Sequence, residues 1–128
     1  MSASQSRWHT VWPFAVILGA LLLAVQAQAQ VNPFGRYGVS LNTTDIELIT
    51  DAAAGLYSRQ APVRGAQASW SNPETGNSGA VQIVRITNSP GLCVSLAHRI
   101  QIKGQQDARI FQTKRCRAPS GEWRLVFE

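Results

Sequence analysis

Few residues of this 128-residue sequence carry obvious chemistry. After residue 29 there is one histidine, His98, and two cysteines, Cys93 and Cys116. A proton-transfer role for His98 needs a partner group, and the spacing identifies none. Ser78, Ser95 and Ser120 supply hydroxyls, yet none lies in the G-x-S-x-G context that raises a nucleophile on a strand-to-helix turn. Glu74 could pair with Asp107 or Glu122 as the two carboxylates of a glycosidase, although no spacing selects such a pair. One histidine, two cysteines and scattered acids do not make a metal-ligand pattern. No catalytic, metal or cofactor-binding residue is therefore assigned, and a non-enzymatic role is expected.

The segment "WSNPETGNSG", Trp70 to Gly79, concentrates turn-forming residues before the apolar run "AVQIVRI". It has no G-K-[ST] and no dinucleotide glycine spacing, so it is not a phosphate cradle. It reads as a loop that positions Trp70 over a sheet, with Pro73 and Gly76 fixing its path. The sharper alternative is a recognition loop in which Trp70 and Glu74 touch a ligand.

Elements must hold this loop. "TTDIELITDAAAGLYS" reads as a helix, with Thr44 as cap and Glu47 reaching back in a capping box. Ile46, Ile49, Ala53 and Leu56 form its apolar stripe. Before it, Gln30 to Asn42 reads as an extended arm; after it, Arg59 to Ala68 reads as a linker. Four strand patterns then alternate with turns: Ala80 to Thr87, Leu92 to Ile102, Ala108 to Arg117 and Glu122 to Phe127. In the second, Val94, Leu96, His98, Ile100 and Ile102 share the core face. Trp123, Leu125 and Phe127 should close that core. The expected fold is α+β, one N-terminal helix packed on a four-stranded antiparallel meander sheet.

Arg7 and His9 precede "PFAVILGALLLAV" and then "QAQAQ", the pattern of a secretory signal peptide over residues 1–29, cut after Ala29. The remaining chain is one small domain, residues 43–128 preceded by the arm 30–42, and it gains from a staple. In an oxidising compartment Cys93 and Cys116 should pair across a hairpin, worth roughly 3 kcal/mol through loop entropy. From Arg64 onward cations dominate. Exported, such a chain meets anionic envelope polymers rather than nucleic acid. The contact candidates are Arg99, Lys103, Arg109, Lys114, Arg115 and Arg117.

The order of Trp70, Asn72-Pro73, Thr75-Gly76, Gly79, the paired cysteines, Arg117 after Cys116 and the closing "SGEW" resembles the seventeen-kilodalton outer-membrane surface antigen family of bacteria. The resemblance covers Leu41 to Phe127. Two family features are absent: the lipid-bearing Cys at the cleavage site and the glycine-zipper segment. The resemblance implies an exported protein of the periplasm or outer membrane without transferable catalytic residues. The expected partner is an envelope component, namely peptidoglycan, lipopolysaccharide or an outer-membrane protein, with no nucleic acid and no small-molecule cofactor. The alternative function is a cell-wall-directed hydrolase or an inhibitor of one.

Overall fold

A computed structural model of the chain describes residues 32–127. The signal-peptide reading of residues 1–29, and the first two positions of the arm, lie outside the described residues. Helix α1 spans Thr43–Tyr57 and buries Ile46, Ile49, Ala53, Leu56 and Tyr57, so the apolar stripe is as the 3.6-residue period requires. Its cap differs from expectation. Asn42, not Thr44, is the cap: its side chain accepts the Asp45 amide at 2.7 Å, and the Asp45 carboxylate accepts the Asn42 amide at 3.1 Å. The sequence spells two overlapping capping boxes, and the earlier one wins because it sets the Asp45 carboxylate inward, where partners await it.

Five strands follow rather than four: β1 (Gln67–Ser71), β2 (Ser78–Thr87), β3 (Cys93–Gln101), β4 (Arg109–Arg117) and β5 (Trp123–Val126). They form one antiparallel meander in sequence order. The additional strand, β1, occupies the end of the expected linker and the start of the turn-rich segment. Its small and polar residues give weak strand propensity. Alternation decides instead: Ala68 and Trp70 face α1 while Gln67, Ser69 and Ser71 face out. Small side chains at Ala66 and Ala68 let the helix lie close to this edge.

Between Ile83 and Arg85 the β2–β3 register slips by one residue. Val81 and Ile83 point to the core before the bulge, and the slip returns Ile86 to the same side, opposite Val94. α1 lies over β1 and β2. The arm covers the β3–β4 half, where Phe34, 1% exposed, packs 5.1 Å from His98 and 5.4 Å from Phe111 between ring centroids. A 3-10 turn at Gly35–Tyr37 ends at Gly38 with φ +67°, and Arg109 donates to the Tyr37 carbonyl at 2.9 Å, tying the arm to β4. Among the described residues every buried core side chain lies between Phe34 and Phe111, so a chain beginning at Gln30 carries the whole described fold. At the other end Trp123 packs on Tyr57 at 4.8 Å, but Phe127 is 57% exposed and does not close the core. The strand β5 is only four residues long, so its last side chains run past the sheet.

Candidate functional site

The turn-rich segment is the β1–β2 hairpin loop, and it folds onto the first turn of α1. Asp45, fully buried, is its anchor. Oδ1 accepts from Asn72 Nδ2 at 2.8 Å and from the Thr75 hydroxyl at 2.8 Å. Oδ2 accepts from Asn77 Nδ2 at 2.9 Å and from the Asn42 amide at 3.1 Å. A carboxylate offers about four lone-pair sites, and all are occupied. No acceptor capacity is left for a substrate or ion.

Burial pushes the Asp45 carboxyl up, but the hydrogen bonds from Asn77, Thr75, Asn72 and Asn42 together pull harder and hold it below its ordinary value. The position in the first helical turn adds the positive end of the helix dipole. A negative charge is thus kept in the interior without a cationic partner among the described residues.

Most of the loop's remaining polar atoms close on one another, although Trp70 Nε1 is buried without a partner. Asn72 accepts the Glu74 amide through Oδ1 at 3.0 Å and the Gly76 amide through its carbonyl at 2.8 Å. Asn77 Oδ1 accepts the Lys103 amide at 3.0 Å, stitching the loop to the β3–β4 turn. Pro73 takes the turn position that its fixed φ suits. Gly76 has φ +74°, and the Lys103 stem crosses above it. At Gly79 a Cβ would fall 2.2 Å from the Arg99 carbonyl oxygen and 2.8 Å from Trp70 Nε1. Gly79 is the cross-strand partner of Trp70, so the indole lies where a side chain would otherwise stand. Trp70, Asn72, Pro73, Thr75, Gly76 and Gly79 are therefore brought together as a structural clamp, while Glu74 points to solvent.

Sequence reasoning missed the two residues that make the clamp work, Asp45 and Asn77. A signal was available: Asp45 stands one turn before Ile49, on the stripe that should be apolar. An acid on a core stripe calls for buried donors, and the segment 72–77 is the richest source of them in the chain.

His98 is a core residue on β3. Nε2 lies 2.8 Å from the Thr113 hydroxyl, while Nδ1 is buried without a partner. Burial, reinforced by the Arg115 charge, pushes the imidazole down to about 4. The adjoining cavity is about 10 Å³ and its lining contains no carboxylate. Ser95 points to the opposite face of the sheet by strand alternation. Glu122 is exposed, pairs with Arg124 at 3.2 Å, and sits at the far end of the sheet from Glu74. Among the described residues, no group of three or more His, Cys, Asp and Glu stands together as a metal site.

Cys93 and Cys116 form a disulfide between directly opposed positions of β3 and β4, with Cα atoms 4.1 Å apart. The six candidate contact cations divide. Arg99 and Lys114 lie on the sheet face turned away from α1; Arg109, Arg115 and Arg117 lie on the helix side; Lys103 is in the β3–β4 turn. Arg85 and Arg124, outside that set, join Arg99 and Lys114 on the open face. Register places Arg85 beside Ser95 and Ser95 beside Lys114, so these cations stand two strand spacings, roughly 9.5 Å, apart. No strand residue of the open face is acidic. Among the described residues the acids lie on α1, as Asp45, Glu47 and Asp51, or in the turns, as Glu74, Asp107 and Glu122.

In comparisons with known proteins, no family model, no curated protein and no solved structure matches this chain.

Proposed function

We propose that the chain is an exported, non-catalytic envelope domain of the surface antigen type, which binds an anionic component of the periplasm or outer membrane. The observation that supports this reading is the division of charge across the sheet. Arg85, Arg99 and Lys114 occupy a face without strand carboxylates, with Arg124 beside them paired to Glu122 of the adjoining turn, while the described acids sit on α1 and in the turns. A charged surface of one sign attracts polymers of the other and orients them as they approach. The turn-rich loop supports the same reading from the other side, because its donors are committed to Asp45 and offer no reaction centre.

The test is co-sedimentation of the oxidised chain beginning at Gln30 with cell-wall sacculi and with envelope vesicles, at low and high salt. Binding that salt removes, and that Arg85→Glu with Arg99→Glu abolishes without lowering the melting temperature, is the expected result. Unchanged binding by that double variant refutes the role of the open face.

A further inference from the structure

The open sheet face ends at an edge with a different character. β5 pairs only with Lys114–Arg117, so the Arg109–Thr113 half of β4 borders the arm instead of a strand. Between them lies a cleft of about 200 Å³, lined by Arg36, Tyr37, Gln112, Lys114, Val126 and Phe127 among others. Its rim is apolar and exposed: Tyr37 is 59%, Phe127 57% and Val126 37% accessible. Cations stand beside these side chains. The Arg36 guanidinium lies 5.3 Å from the centre of the Phe127 ring, and Arg109 is fixed on the Tyr37 carbonyl. None of the described lining residues is acidic.

Exposed aromatics flanked by arginine match the interface of a bilayer, where rings sit at headgroup depth and guanidinium groups meet phosphates. A polysaccharide can stack sugar rings on Tyr37 and Phe127 but offers Val126 no apolar layer to enter, and the sacculus arm of the test separates the two.

Deepening the proposed envelope binding and resting on it, we infer that the anionic component is a phospholipid bilayer surface, met at the β4–β5 edge with Tyr37, Val126 and Phe127 entering the headgroup layer and Arg36 and Arg109 on the phosphates. Lys114 and the open-face arginines then lie beside the membrane plane and add long-range attraction.

The experiment uses the chain beginning at Gln30, so that the upstream apolar run contributes nothing. Binding is measured on vesicles of phosphatidylcholine alone, on vesicles containing phosphatidylglycerol, and on sacculi. The expected result is binding to the anionic vesicles, weakened roughly tenfold by Phe127→Ser and further by adding Tyr37→Ser, with Arg64→Glu, remote on the β1 approach, without effect. Thermal melts identify a variant that has lost its fold. Phe127→Ser alone removes a side chain outside the core and keeps the comparison valid if the Tyr37 variant misfolds. In a second measurement, Phe127→Trp should be quenched by brominated lipid while the fluorescence of the wild-type chain is not. Equal vesicle binding by Phe127→Ser and the wild type overturns the inference. Salt-sensitive binding to sacculi with none to vesicles overturns the lipid assignment and leaves the proposed function standing; binding to neither removes both.

Discussion

Replacing Asp45 should be among the most damaging single changes in the domain. Asp45→Ala removes an acceptor from four donors at once, and two of them, the side-chain amides of Asn72 and Asn77, belong to buried residues. The Thr75 hydroxyl can turn elsewhere and the Asn42 amide can find water, so the cost falls mainly on the two amides. Each unsatisfied buried donor costs about 1–3 kcal/mol, and loss of the reciprocal cap adds about 1 kcal/mol. A total of about 3–7 kcal/mol is expected, a large share of the 5–15 kcal/mol that stabilises small domains. Asp45→Asn should cost nearly as much. Its new amide would face donors where an acceptor is required, although shape is conserved. Urea unfolding of the chain beginning at Gln30 reads these costs as midpoint shifts at constant slope. A double-mutant cycle with Asn72→Ala should give a coupling of about 1–2 kcal/mol, because the two residues share a bond. The pH dependence supplies a separate check. The folded carboxyl titrates below its ordinary 3.8, so its contribution is present above that pH and is lost as pH falls through the folded value. The gap between wild type and Asp45→Asn must therefore narrow in strong acid. A destabilisation under about 1 kcal/mol for Asp45→Ala would refute the clamp.

Other positions make predictions of different sign. For His98 the folded value is about 4 against an ordinary 6.5; the unfolded chain binds the proton first, so stability is full above pH 6.5 and falls by about 3 kcal/mol as pH drops toward 4. His98→Phe should flatten that slope in denaturant midpoints, and an unchanged slope would place its cause elsewhere. Reduction of Cys93–Cys116 should lower the melting temperature by more than about 10 °C, from roughly 3 kcal/mol of loop entropy in a domain of this size; identical melts with and without reductant contradict this. Gly79→Ala should cost at least about 2 kcal/mol through overlap with backbone, whereas Gly55→Ala, whose Cβ would meet only the Arg59 side-chain tip at 3.7 Å, should stabilise α1 by about 0.5–1 kcal/mol. Chemical denaturation of the two variants settles both signs.

Residue patterns revealed the fold where one period dominated. The alternation of Val94, Leu96, His98 and Ile100 placed the β3 core face correctly, since a strand buried on one side repeats every two residues. The stripe of α1 was readable for the analogous reason. β1 was missed because Gln67, Ala68, Ser69 and Ser71 carry almost no apolar contrast; only its pairing with β2 and the helix above it make it a strand. The cap was misplaced because Asn42-x-x-Asp45 and Thr44-x-x-Glu47 are both well-formed locally, and the choice depends on a loop more than 25 residues away. Phe127 looked like core because alternation does not report where a sheet ends. The arm's role was hidden for a similar reason: Phe34 has no periodic companions, and its pocket is made by His98 and Phe111 from two different strands.

The two staples occupy opposite ends of the sheet. Register runs from Cys93 opposite Cys116 at one end to Gly79 opposite Ile100 at the other, where the Asp45 clamp begins. Between them one face carries the core and the other carries exposed side chains that no described element covers. A domain this small gains little from a second apolar layer, and with both ends fixed it does not need one on the open side. Substitutions at Arg85 or Arg99 therefore alter the charge presented to a partner while leaving the hydrogen bonds of the clamp, the disulfide and the buried stripe intact. That separation is what makes the open face testable by charge reversal: a loss of binding at unchanged melting temperature has no structural explanation in the core. The same separation does not hold at Asn72 or Gly79, where a loss of binding would report a collapsed loop rather than a contact. Loop variants and face variants must thus give opposite patterns of stability and affinity if the turn-rich segment is architecture and the sheet is the binding surface.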